Sequence, residues 1–193
     1  MSQALHHALV WVPVAVVVAL AMDAWAALIH RVVWHGPLWR VHRSHHVPRA
    51  GRFEDNDALS VLHAPIATAF VLYGCAGPAG TVREVVYGLG IGMTAFGVAY
   101  VIVHDGLVHE RLPVRFLLRA PLLRDVVEAH RQHHLGSHGG LPYGLFFGPR
   151  ELRRSRALTP SASNAPATPS PGGRSPRPAR PPSVRPPRGP APG

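Results

Sequence analysis

Lysine is missing from this chain of 193 residues, and cysteine occurs once, at Cys75. A single thiol excludes a disulfide framework and a thiolate zinc site. Without lysine, the net charge of +10 comes wholly from 20 arginines against 10 acids. Eight of those arginines follow Arg150, so the high isoelectric point belongs partly to the C-terminal stretch and says little about a folded core. No nucleic-acid partner is expected from it. H-E-x-x-H is absent, which argues against a zinc protease, and no Ser/His/Asp arrangement or phosphate-cradling glycine loop stands out.

What the chain has in excess is histidine, 14 residues of it, on a background that is 47% apolar. Residues 9 to 150 hold the long apolar runs and nearly all the histidines. Leu9 to Ile29 is a run of about 21 residues, long enough to cross a bilayer as a helix. The residues before it contain no Arg or Lys, so it reads as a span and not as a signal peptide. Leu59 to Cys75 is a second run, and Val85 to Val103 a third. Gly88, Gly90, Gly92 and Gly97 in the third let neighbouring helices approach closely, as in a packed bundle. Residues 74 to 80 carry a turn signal between the two. Pro113 to Leu123 offers either a surface amphipathic helix or a short fourth insertion. Gly139 to Phe147 is an apolar, aromatic loop suited to capping a site or anchoring at the interface. The expected fold is all-α and integral to the membrane, with three to four transmembrane helices. Residues 1–156 form the membrane domain. Residues 157–193, with 12 of the 21 prolines and no acid, form a disordered Pro/Arg-rich tail.

With three spans and a hairpin between the second and third, His30 and His104 emerge on the same face. Arg31, Arg40, Arg43, Arg49 and Arg52 lie in the loop on that face, against Arg83 alone in the opposite hairpin. The positive-inside rule makes the histidine face cytoplasmic, with the bacterial inner membrane as the expected location.

The histidines follow a spacing that occurs twice. HRVVWHGPLWRVHRSHH reads H-x4-H then H-x2-H-H, carrying His30, His35, His42, His45 and His46. HDGLVH and HRQHH repeat it with His104, His109, His130, His133 and His134. In H-x2-H-H the first histidine is three and four residues from the others, so the three imidazoles share a helix face. Pro37 suits the first turn of a helix carrying His42, His45 and His46. In H-x4-H the pair sits about 140° apart on an ideal helix, so either a helix end or two different metals is implied. Ten imidazoles supply four or five ligands for each of two metals, and imidazole suits Fe, Zn, Cu and Ni alike. Beside apolar helices such a site points to an apolar substrate.

Four acids are candidates to accept the outer N–H of a ligand imidazole, namely Asp23, Asp57, Asp105 and Glu128. Asp23 is an acid inside a span, two turns before His30. His63 reads as a capping or supporting residue of the second run, and His138 as a further histidine near the site.

The doubled pattern is similar to the histidine boxes of the fatty acid hydroxylase superfamily. Within it, HRVVWHGPLWRVHRSHHVPRAGRFEDND, GIGMTAFGVAYVIVHDGLVHERLPV and EAHRQHH resemble the bacterial β-carotene 3-hydroxylases, over roughly residues 20 to 150. HDGLVH and GRFE-ND are more specific than the boxes alone. The resemblance implies two non-haem Fe ions, O2, and electrons from reduced ferredoxin or a similar donor. The implied reaction hydroxylates C3 and C3′ of β-ionone rings, taking β-carotene through β-cryptoxanthin to zeaxanthin, and ketolated carotenoids are further candidate substrates. All ten box histidines carry over as ligands. The segment after His134 matches loosely, and the tail has no counterpart. Two other readings stand beside this one. The first is a hydroxylase or desaturase of a fatty acid, sterol or other lipid, and the second a non-catalytic, histidine-rich metal transporter.

Overall fold

The computed structural model describes residues 3–48, 51, 53–136 and 140–158. Among the described residues every regular element is helical. Helix α1, Gln3–Ile29, runs without a break into a π-helical turn, His30–Trp34. A four-residue α2, Trp39–His42, tightens into the 3-10 turn Arg43–His46. The short α3, Asp57–Ser60, leads into α4, Ala64–Ala76, with Pro65 in its first turn where a missing N–H costs nothing. Gly80, at φ 147°, takes a backbone conformation that only glycine adopts readily, and so closes the turn into α5, Thr81–Tyr100. Helix α5 also widens at its end, into the π-helical Val101–Val108. The 3-10 turn Arg115–Arg119, α6 (Pro121–His134) and α7 (Gly148–Leu158) complete the described chain.

Three segments are long and apolar enough to cross a membrane, His7–Trp34, Asp57–Ala76 and Thr81–Val108. Among the described residues the candidate spans are therefore three. The proposed insertion at Pro113 to Leu123 is instead the 3-10 turn and the start of α6, which interleave arginines with leucines. The apolar side chains face outward, as a lipid solvent demands. Leu9, Val16, Val17, Leu20 and Leu28 of α1 are each more than half exposed. Helix α5 is the central one, packed on both α1 and α4. Its glycines explain how. A Cβ on Gly88 would stand 2.7 Å from the Trp11 carbonyl and one on Gly92 2.5 Å from that of Ala15, so these two form the α1 face. A Cβ on Gly90 would stand 2.7 Å from the Val71 amide of α4.

The C-terminal ends of α1 and α5 and the α3–α4 entry all meet at one end of the bundle. There Val103, Val126 and Leu145 form a small buried core that fixes α6 and the loop 140–147 onto the π turn of α5. Helix α7 continues through Leu158, two residues past the expected domain boundary. The expected disordered tail otherwise lies outside the described residues, as do His6's side chain and His138.

Candidate metal centre

The two π turns account for the H-x4-H spacing. A π turn bonds residue i to i+5, one residue more per turn than an α-helix. The His35 amide donates to the His30 carbonyl at 2.9 Å, and the His109 amide to the His104 carbonyl at 3.0 Å. Residues five apart, which an α-helix would splay, are thereby brought onto one face, and the ring centroids lie 4.9 Å apart in the first pair and 4.7 Å in the second.

Nine of the ten box histidines fall into two groups whose ring nitrogens lie within 4.8 Å of one another. His30, His35, His42, His46 and His133 make the first, and His45, His109, His130 and His134 the second. His104 borders the second group, its Nε2 3.1 Å from that of His45. The groups do not follow the halves of the sequence. His42 and His46 stay together, as do His130 and His134, while the middle histidine of each H-x2-H-H element crosses to the other group. Helix geometry explains the split. In α6, relative to His130, His134 is displaced by about 40° one way and His133 by about 60° the other. The element therefore faces two points, and the expected convergence of all three imidazoles is replaced by two and one.

The imidazoles are oriented from behind. His30 Nδ1 donates to the Tyr143 carbonyl at 2.9 Å, His42 Nδ1 to Asn56 Oδ1 at 2.7 Å and His133 Nδ1 to the Gly140 carbonyl at 2.6 Å. His45 Nδ1 donates to Glu54 Oε2 at 3.1 Å, and His104 Nδ1 to Asp105 Oδ1 at 2.8 Å. In a neutral ring, a proton on Nδ1 leaves Nε2 as a bare lone pair. Yet the Nε2 atoms of His30 and His42 are 3.0 Å apart, and those of His45 and His104 3.1 Å. Two lone pairs cannot hydrogen-bond each other, and a shared cation resolves the conflict. Burial first, with crowding by other imidazoles, holds His42, His45, His46, His133 and His134 below the ordinary imidazole range. His35 and His133 are each lowered to about 4, so the rings present the neutral form that metals require. The donor set fits two metal ions.

Of the supporting candidates, Asp105 reaches an imidazole directly. Asp23, 3% exposed, turns away from the histidines. Its carboxylate accepts the backbone N–H groups of Leu145, Phe146 and Phe147 at 3.1, 3.2 and 2.8 Å, pinning the loop that covers the site. An acid two turns before His30 shares its helix face, but both side chains bond the loop instead, His30 through the Tyr143 carbonyl and Asp23 through the three amides. Asp57 accepts from Arg111 Nη1 at 2.7 Å and from the Glu54 amide at 3.0 Å, and so acts on Glu54 and not on a ring. Glu128 pairs with Arg131 and Gln132 on the exposed side of α6. His63 precedes α4 and accepts the Trp25 indole N–H at 3.0 Å. Glu54, Asn56, Arg111 and Tyr143 are functional residues that the histidine spacing does not point to. Glu54 and Asn56 lie in the GRFE-ND stretch, which was the available signal.

The loop 140–147 caps the first group. The Tyr143 ring lies 5.3 to 5.6 Å from those of His30, His35 and His133, and Glu151 of α7 holds the Tyr143 amide at 2.8 Å. Between the three spans is an apolar cavity of about 410 Å³, bordered by Trp25, His63, Phe96 and Ile102. Ala26, Trp34 and Tyr100 line both this cavity and a small gap against His30 and His130, and so form the wall between cavity and histidines.

Three apolar helices with ten imidazoles gathered at one end define a helical protein of membrane-spanning character with paired histidine pockets. The "Fatty acid hydroxylase" family model matches residues 15–149, and the chain belongs to that family. It is 47% identical over 134 residues to "Beta-carotene 3-hydroxylase 1, chloroplastic" of Arabidopsis thaliana, covering 69% of this chain and 43% of the relative. It is 40% identical over 137 residues to "Beta-carotene 3-hydroxylase, chloroplastic" of Haematococcus lacustris, covering 70% and 42%. A bacterial relative, "Beta-carotene hydroxylase" of Pseudescherichia vulneris, is 42% identical over 130 residues, covering 66% and 71%. The chain thus spans less than half the length of the chloroplast relatives. No solved structure matches.

Proposed function

We propose that this chain is a carotenoid ring hydroxylase of the non-haem di-iron type, converting β-carotene to β-cryptoxanthin and zeaxanthin by hydroxylation at C3 and C3′. The observation that carries the reading is the pair of histidine groups beside an apolar cavity, in a chain whose relatives are named for this reaction. The ten box histidines hold the metals, with His104 completing the second group. Two irons held there would supply activation of O2, one oxygen atom entering a ring C–H bond and the other leaving as water, with two electrons from a ferredoxin-like donor and two protons from solvent.

The protein's own residues do the rest. Glu54, Asn56, Asp105 and the carbonyls of Gly140 and Tyr143 fix the rings of His45, His42, His104, His133 and His30 with Nε2 inward. Partners of this kind sustain metal affinity as much as the ligands do. The cavity takes the hydrocarbon end from the bilayer, and its size lies within the range of small-molecule pockets. Trp34 and Tyr100 separate that end from the histidines by a single layer of side chains. The capping loop, tied down by Asp23 and Glu151, keeps water from the other side. Arg31, Arg40 and Arg43 support placing this end in the cytoplasm of a bacterial inner membrane, where a reduced donor is at hand.

The test is expression in a host that makes β-carotene, with pigment extraction and iron analysis of the purified chain. The expected outcome is β-cryptoxanthin and zeaxanthin with iron bound. β-Carotene left unconverted by an iron-loaded chain would sink the carotenoid reading and favour another lipid. Zinc alone, with no O2-dependent turnover, would favour a transporter.

A further inference from the structure

The two histidine groups differ in what stands behind them. In the first, all three outward hydrogen bonds end on neutral oxygens, the Tyr143 and Gly140 carbonyls and Asn56 Oδ1. At the second, the outward hydrogen bonds of His45 and His104 end on carboxylates, those of Glu54 and Asp105. Arg111 fixes the other Glu54 oxygen with Nη2 at 2.7 Å while its Nη1 holds Asp57 at 2.7 Å. Glu151 reaches the first group only through the amides of Tyr143 and Gly144, one peptide removed from His30. Beside that group, Arg31 lies over the Tyr143 ring at 5.8 Å.

A carboxylate accepting the Nδ1–H draws the proton away from the ring and makes Nε2 a stronger donor, where a carbonyl does so less. It also adds negative charge in a buried place, where charge acts over longer range than in water. Both effects favour the higher oxidation state of a bound ion. We propose that Glu54 and Asp105 make the group of His45, His109, His130 and His134 the electron-rich one, so that its iron is oxidised first. Glu54 and Asp105 are then positioning residues that set an order between two sites that the repeated sequence pattern would make equivalent. This inference rests on the reading of the site as a two-iron centre.

The experiment is a stepwise oxidation of the purified, 57Fe-loaded diferrous protein, each ferrous ion giving one electron to a chemical oxidant. Mössbauer spectra report which iron has changed. Wild type is expected to oxidise in two resolved steps. Glu54→Gln should move the first step to higher potential and leave the second in place. Asn56→Asp should move the second to lower potential, so that in either variant the steps converge. If Glu54→Gln loses iron, Asn56→Asp decides alone, a lowered second step supporting the inference and an unmoved one overturning it. Two irons bound with potentials that neither variant moves would overturn this inference alone. Fewer than two irons on wild type would overturn it together with the metal reading.

Discussion

His45 and His133 hold the same place in their H-x2-H-H elements, and each faces the group built mainly by the other half of the chain. Substitution should reveal the exchange. His45→Ala is expected to lower bound iron from about two per chain to about one by emptying the second group, and His133→Ala to do so by emptying the first, since each ion depends on its full ligand set. Iron quantification with Mössbauer spectra of the variants tells the sites apart, and loss of the first group's ion from His45→Ala would refute the exchange. The ten ligand candidates were legible from spacing alone, because H-x4-H and H-x2-H-H need no tertiary information to be seen. Their partition was not, since it depends on which side of the i, i+3, i+4 fan each metal lies. Asp23 was legible as a functional acid but not in its role. It accepts three backbone N–H groups from residues more than 120 positions away, and backbone donors leave no trace in sequence.

At the level of elements, the loop 140–147 and helix α5 invite separate tests. Asp23→Ala leaves three backbone N–H groups without an acceptor, at a cost of about 3 kcal/mol. The expected outcome is a lower thermal midpoint and new protease cleavage within the loop. Asp23→Asn, which keeps an acceptor oxygen, should fall in between. Unchanged protease resistance in Asp23→Ala would show that the loop is held by its packing on Val103 and Val126 alone. On α5, Gly92→Ala forces a methyl group onto the Ala15 carbonyl and should cost about 1–3 kcal/mol as overpacking. Gly97→Ala meets nothing within 4 Å and should be neutral or stabilising. Equal thermal midpoints for the two variants would refute the close α1–α5 approach. The three spans could be read from run length. The π turns that end two of them could not, because one extra residue per turn changes hydrogen-bond partners without changing composition. H-x4-H is their only sequence trace here.

For the whole molecule, orientation is the open quantity, and the single cysteine makes it measurable. Cys75 is exposed at the end of α4, at the opposite pole from the histidines. In intact cells a membrane-impermeant maleimide should label Cys75 from outside. Arg40→Cys, in a Cys75→Ser background, should be labelled only after the cells are opened. The reverse pattern would place the histidines outside. The exchange of His45 and His133 also has a mechanical consequence. On the proposed reading each metal ion, taken alone, would tie the segment 30–46 to the segment 109–134, so the pair would work as a double latch. Opening one would leave the two segments joined by the other, so that an emptied site would keep its shape until refilled.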